Sequence, residues 1–423
     1  MNYYHDPVRH LEYLRQSLSQ DDKPIGFFIS AGCPLSVEMS SEDWPLIPDV
    51  KNLTIWINNE LSENPNYIHL LDELGKANKD RNNIEDILSF IRGLKQVSKG
   101  GEVRGLNEET LNDLEYAICE RIVTKINVDL PNSNTPYHKL TKWISSIDRE
   151  VPIEIFTTNY DLLMEKSLES MEVPYFDGFV GSNRSFFDLR AVEGNLIPCH
   201  WTRLWKIHGS INWYQMEDSG QKKVYRSSEI KTKESHLIYP SHLKYEQSRK
   251  MPYLALIDKL DSFIRQKSSL LILSGYSFND EHLNDTIINA LKANPSAMVI
   301  GLMFGKFMNE KFSIPSFVTG KNIFNAIPSA SNLKIDHTCG KARYPKAYKL
   351  AENRHNLSIW TDDKAIIGTN PGEWMLSNKE HSFSDFINSD ENIRMGNFSV
   401  LTDFLKTLIN SDRYIQNKLE DGE

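Results

Sequence analysis

The chain has 423 residues, with 48 lysines and arginines against 57 aspartates and glutamates, a formal net charge of −9. Hydrophobic residues make up 40% and charged residues 25%, the balance of a soluble globular protein, and at about 150 residues per domain the length suggests two to three domains. That charge excludes a globally basic nucleic-acid binder; direct nucleic-acid binding through a local basic groove stays open, since a sum does not show one. No apolar run reaches the ~18 residues of a membrane span. The start, Met1-Asn2-Tyr3-Tyr4-His5-Asp6, lacks the basic-then-apolar order of a secretion signal. A soluble cytoplasmic protein with no membrane partner is therefore expected. Cys33, Cys119, Cys199 and Cys339 are far apart and form no Cys-x-x-Cys pair. Neither a structural zinc site nor a disulfide framework is expected.

In chain order, residues 6–19 read as an amphipathic helix with Leu11, Leu14 and Leu18 at helical spacing. Ile25-Gly26-Phe27-Phe28-Ile29 reads as a buried strand ending in the small-residue turn Ser30-Ala31-Gly32. Residues 44–150 form a mostly helical insert, with stripes at Ile84, Ile87, Leu88, Ile91 and at Leu111, Leu114, Ile118, Ile122. Strands return at Ile153–Phe156, Trp205–Ile207, Leu237–Tyr239, Leu270–Leu273 and Met298–Leu302, with helical patterns between. Strands alternating with helices predict an α/β fold, a Rossmann-like parallel sheet with helices on both faces. Beyond about residue 305 the pattern loosens into a mixed C-terminal region, with short strands near Leu357–Trp360 and Ala365–Ile367. It also holds a helix starting near Ser399 and an acidic tail from Glu420. The expected division is residues 1–305 as the main unit, carrying the 44–150 insert, and 306–423 as an assembly or regulatory region.

Four polar motifs follow strands, where sheets of this kind bind ligands. Ser30-Ala31-Gly32-Cys33-Pro34 is either a tight turn or a backbone approach to a pyrophosphate. In Thr157-Thr158-Asn159-Tyr160-Asp161, Asn159 offers a neutral donor and acceptor to a ribose or an amide. Equally, Asn159 or Asp161 caps the helix that follows. His208-Gly209 sets a histidine at a strand end, either a general base near neutral pH or a loop histidine with one hydrogen bond. Gly275-Tyr276-Ser277-Phe278-Asn279-Asp280 is similar to a nucleophile elbow, but Asn279 replaces its last glycine. Ser277 can instead bond a ribose or phosphate, and Asn279 or Asp280 caps the next helix. Gly301–Phe307 fails as a phosphate loop, one residue short and without its Ser or Thr. Lys231–Glu234 reads as a solvated loop.

Together, in this order, the motifs resemble the sirtuin superfamily over about residues 20–305. The closest resemblance is to the sirtuin-like NAD hydrolases of bacterial anti-phage defence. Ser30-Ala31-Gly32 stands where that family has Gly-Ala-Gly under the NAD pyrophosphate, and Ile47-Pro48-Asp49 resembles its Ile-Pro-Asp. Thr158-Asn159-Tyr160-Asp161 resembles its Gln-Asn-Ile-Asp, His208-Gly209 its catalytic His-Gly, and Gly275-Tyr276-Ser277 its late Gly-x-Ser. The phrases Tyr175–Phe179 and His208–Trp213 are closer to the defence branch. The zinc module of protein deacylases is missing: no cysteine lies between His208 and Asp280.

The resemblance implies an NAD glycohydrolase that cleaves the nicotinamide–ribose bond, with NAD as substrate and no metal. It implies Asn159, His208 and Asp161 as catalytic residues. Ser30, Ala31, Gly32, Asp49, Thr158, Gly275, Tyr276 and Ser277 are the implied NAD contacts. Homo-oligomers and a HerA-type hexameric ATPase are the implied partners. The alternative is an NAD or ADP-ribose sensor without turnover.

Overall fold

The computed structural model describes residues 3–131, 134–218, 221–228, 236–238, 252–308 and 342–420. Cys339, Lys231–Glu234, Tyr239 and the acidic end from Asp421 lie outside these residues.

The chain opens with β1 (Tyr3–His5), α1 (Pro7–Leu18) and β2 (Ile25–Ile29). Asp6 starts α1 by accepting the Val8 N–H at 3.0 Å, and Pro7 sits in the first turn, where its missing N–H costs nothing. Leu11, Leu14 and Leu18 form the buried stripe. The insert follows as α2 (Val50–Glu60), α3 (Pro65–Lys76), α4 (Ile84–Val97), α5 (Glu108–Ile126) and α6 (Pro136–Ser145). Asp49, Asn64, Asn83 and Asn107 cap the first four of these. A hairpin, β3 (Glu102–Val103) with β4 (Leu106–Asn107), interrupts the helices.

Next come β5 (Glu154–Thr157), α7 (Leu163–Ser170), β6 (Tyr175–Phe176), β7 (Phe179–Val180) and β8 (Ser185–Phe187). They lead to α8 (Leu189–Glu193), β9 (Thr202–Lys206), β10 (Gly209–Asp218), β11 (Gln221–Arg226) and β12 (His236–Ile238). The later elements are α9 (Tyr253–Arg265), β13 (Leu270–Ser274), α10 (Glu281–Ala293), β14 (Met298–Leu302) and α11 (Pro345–Glu352). The last are β15 (Leu357–Trp360), β16 (Lys364–Ile367), β17 (Asn370–Trp374) and α12 (Phe398–Glu420).

Ten strands form one mostly parallel sheet in the order β1-β17-β16-β15-β14-β13-β2-β5-β9-β6. Strands β2, β9, β13 and β15 are buried on both faces, and alternate residues serve different cores. Phe27, Ile155, Leu204 and Ile272 pack under α1 to α7 and α12. Phe28, Phe156, Trp205, Leu271 and Leu273 pack under α8 to α11. This is the expected Rossmann-like α/β arrangement.

The strand expected near Leu237 is β12, and it lies outside the parallel sheet. It belongs to a five-stranded antiparallel sheet ordered β12-β10-β11-β8-β7. Only Ile207 and His208 separate β9 from β10. A link that short cannot make a parallel crossover, so the chain turns into the antiparallel sheet instead. The strands after residue 305 continue the large sheet: β15 runs parallel to β14, then β16 and β17 return antiparallel. β17 in turn pairs in parallel with β1, Tyr3 opposite Gly372. No described helix is long and apolar enough to cross a membrane.

Candidate functional site

Ladder register sets the site. Ser274, Ile29, Thr157 and Lys206 stand in one row across β13, β2, β5 and β9. The four segments that follow leave the sheet at the same edge. The chain also departs from β2 toward β5 and returns on the other side as β13, the switch point where open α/β sheets bind ligands. A cavity of about 850 Å³ lies there. Of the residues singled out from the sequence, Ser30, Ala31, Thr158, Asn159, Asp161, His208, Tyr276 and Ser277 line it.

The Ser30 and Thr158 hydroxyls are 2.7 Å apart and tie the β2 turn to the β5 turn. Asn159 donates its side-chain N–H to the Ser30 carbonyl at 3.3 Å and its backbone N–H to the Thr157 hydroxyl at 3.0 Å. Its amide is thereby aimed rather than free to rotate. His208 places Nε2 3.3 Å from Asp280 Oδ2, with the Tyr160 ring on another side, centroids 6.5 Å apart.

Asp161 serves both readings of its motif. Its Oδ1 accepts the Leu163 N–H at 3.0 Å at the start of α7, and the residue also lines the cavity. Behind it, the buried Lys206 ammonium donates to the Asp161 carbonyl and, at 2.7 Å, to Glu165. Burial pushes the Asp161 carboxyl up from 3.8 to about 6, against the opposing pull of Lys206. A raised folded-state value means the native protein binds a proton there that the unfolded chain has lost. Stability from this group is therefore full below pH ~4 and falls as pH rises through about 6, by on the order of 3 kcal/mol. Urea midpoints of the wild type and Asp161→Asn from pH 4 to 7 check this. The variant should lose that part of the slope; identical slopes would contradict the assignment.

Three of the residues named for NAD contact do not reach the cavity wall. Gly32 and Gly275 pack backbone to backbone beneath it, and the Gly32 N–H donates to the Gly275 carbonyl at 3.1 Å. The Cys33 N–H is likewise taken by the Ser30 carbonyl at 2.9 Å. The glycines permit close approach of two turns; the Gly32 amide is spent on that contact and the Cys33 amide within its own turn. Asp49 accepts the Asn52 N–H at 2.8 Å as the cap of α2, while its neighbours Pro48 and Val50 line the wall. Tyr276 lines the cavity, but its hydroxyl points to α10, 2.9 Å from Asn284 Oδ1 and 3.2 Å from the Asp280 carbonyl.

The structure adds wall residues that sequence reasoning did not single out for ligand contact. Asn83, Ile84 and Glu85 at the start of α4, with Ile122 and Ile126 of α5, bring the helical insert onto the site. Lys346 of α11 comes from beyond residue 305 and donates to Glu281 at 2.8 Å. Periodicity marks Ile84 and Ile122 only as members of helical stripes, and no motif marks the others; the tertiary fold brings them all to the cavity. Glu85, Asp161, Asp280, Glu281 and Asp285 make the wall acidic, with Lys346 the one lysine or arginine among its described residues. Such a site favours a developing positive charge. Among the described residues no group of three or more His, Cys, Asp or Glu side chains is placed to hold a metal ion.

A search of curated proteins finds no match for this chain. Residues 153–323 match the family model of the SIR2-like domain, which supports a sirtuin-like family and suggests NAD-related activity.

Proposed function

We propose that the protein is an NAD glycohydrolase. The observation that carries this reading is the convergence of Ser30, Asn159 and His208, from three different strand ends, on one cavity with an acidic wall. Nicotinamide leaves NAD as a neutral molecule from a cationic ring, so its departure needs no general acid and no paired carboxylates of the ordinary glycosidase kind. The demand falls on stabilising an oxocarbenium-like ribose and delivering water.

In this reading the C1′–N bond breaks with its electron pair moving onto the nicotinamide ring. Asn159 orients the ribose or the attacking water, and His208 takes the proton as that water's oxygen bonds to C1′. Asp161 contacts the carboxamide or orders the site, and the nearby carboxylates favour the cationic centre. Ser277, and the close turn at Ala31, serve the adenosine and phosphate portion. The products are nicotinamide, ADP-ribose and a proton.

The wider reading is cytoplasmic NAD depletion in anti-phage defence. Its proposed gate is assembly, as a homo-oligomer and with a HerA-type hexameric ATPase. The insert helices α4 and α5 at the cavity suit a role in that gating.

Chromatography of NAD incubated with the purified protein tests the chemistry. Nicotinamide and ADP-ribose should appear, and Asn159→Ala and His208→Ala should each slow their release at least about a hundredfold. Full turnover in both variants would remove the assignment. Saturable NAD binding without products, with or without the ATPase, would favour a sensor.

A further inference from the structure

The segment Gly275–Asp280 is built around its last residue. Phe278 holds a left-handed backbone, φ +58°, uncommon for a residue with a side chain. Its carbonyl accepts from Asn284 Nδ2 at 2.8 Å, while Asn284 Oδ1 accepts from the Tyr276 hydroxyl at 2.9 Å. The Tyr276 ring is wedged between Phe28 and Phe278, centroids 5.1 and 4.8 Å away. This network fixes where α10 begins. There Asp280 Oδ1 accepts the N–H groups of His282 and Leu283 at 3.1 and 3.2 Å. One oxygen is thus committed to the helix, and the other, Oδ2, is presented to His208. Both side chains are mostly buried, 11% exposed for His208 and 13% for Asp280.

We propose that Asp280 is a positioning residue for His208, its carboxylate fixing the orientation and tautomer of the imidazole that takes the proton from water. This rests on the glycohydrolase reading. An aspartate at a helix N-terminus keeps its charge readily, because the helix dipole favours it. A histidine whose Nε2–H donates to that carboxylate turns its other nitrogen to the reaction and gains basicity from the charge. The motif that looked like a nucleophile elbow then delivers a carboxylate to a neighbouring base.

Other ionisable groups stand around the same space: Tyr160 and Asp161 after β5, Glu85 from α4, Glu281, His282 and Asp285 on α10, and Lys346 on α11. The test therefore changes Asp280 alone. Asp280→Asn and Asp280→Ser both keep a capping oxygen for α10 and remove the charge. The His208 ring is titrated by carbon-edited NMR, its signal identified among the 12 histidines by its loss in His208→Gln. In both variants the His208 pKa should fall by about one unit. The acid limb of the pH profile for NAD cleavage should move down with it, and the maximal rate should fall about tenfold or more.

An unchanged His208 titration in the two variants would overturn the pairing. A shifted titration with an unchanged rate profile would overturn the role in the reaction. If the wild type cleaves no NAD, the glycohydrolase reading and the catalytic role fall together. The titration needs no turnover and still decides the pairing. If one variant fails to fold, the other carries the test.

Discussion

Lys206→Met is expected to destabilise the protein by about 3–5 kcal/mol, seen as a large drop in the urea midpoint at neutral pH. Lys206 ends β9 with its side chain 1% exposed, and its ammonium is shared between the Asp161 carbonyl and the Glu165 carboxylate. Burying one charge beside its partner is tolerable; burying the partner alone is not. Methionine fills the space but strands Glu165, whose side chain is 10% exposed. It also withdraws the cation that opposes the rise of the Asp161 pKa. The double variant Lys206→Met, Glu165→Leu should recover much of the loss, because a buried ion pair is often replaced by apolar groups at little net cost. Additive single effects, or an unchanged midpoint in Lys206→Met, would show that the pair does not hold this corner of the site together. Under the proposed glycohydrolase reading, NAD cleavage in the surviving fraction should also weaken, since the Asp161 carbonyl loses its donor.

Gly275→Ala should cost about 2–5 kcal/mol, from two separate causes. Gly275 has φ +68°, where an L side chain is strained. A Cβ there would also stand 2.7 Å from the Cys33 nitrogen, against backbone that cannot move aside. Gly32→Ala has only the second problem, a Cβ 2.7 Å from Gly275 Cα, and should cost less. Thermal melts of the two variants rank them. Equal melting temperatures for Gly275→Ala and the wild type would mean that the turns are not in contact.

Much of the frame was legible because it rests on local pattern. The run Ile25–Ile29 is apolar throughout since both faces of a central parallel strand are covered, and Leu11, Leu14 and Leu18 show one helical face. That polar motifs follow strands was legible for the same reason. What those side chains do to one another was not. Asp280 reads as a cap, and it is one, but its second oxygen meets a histidine 72 residues earlier in the chain only after β9 and β13 are set in the sheet. Gly32 reads as a phosphate turn, yet its constraint comes from Gly275 across two adjacent strands. β12 reads as one more strand of the main sheet, because nothing in three apolar residues says which sheet they join. Lys346 carries no local signal at all.

The place of β2 in the strand order bears on how the protein is made. β2 lies between β5 and β13, so residues 25–29 wait unpaired until residues 154–157 and then 270–274 have left the ribosome. β1 waits longer, until residues 372–374 arrive beside it. Contacts this distant form slowly, and Phe27 and Phe28 lack their flanking strands until then. The span 153–323 lacks β2 altogether, so it would present a split sheet rather than a portable catalytic module. Since Ser30 and Asn159 meet only across β2 and β5, and Asp280 follows β13, the site closes late in synthesis. Under the proposed glycohydrolase reading, a half-made chain would be unable to consume NAD.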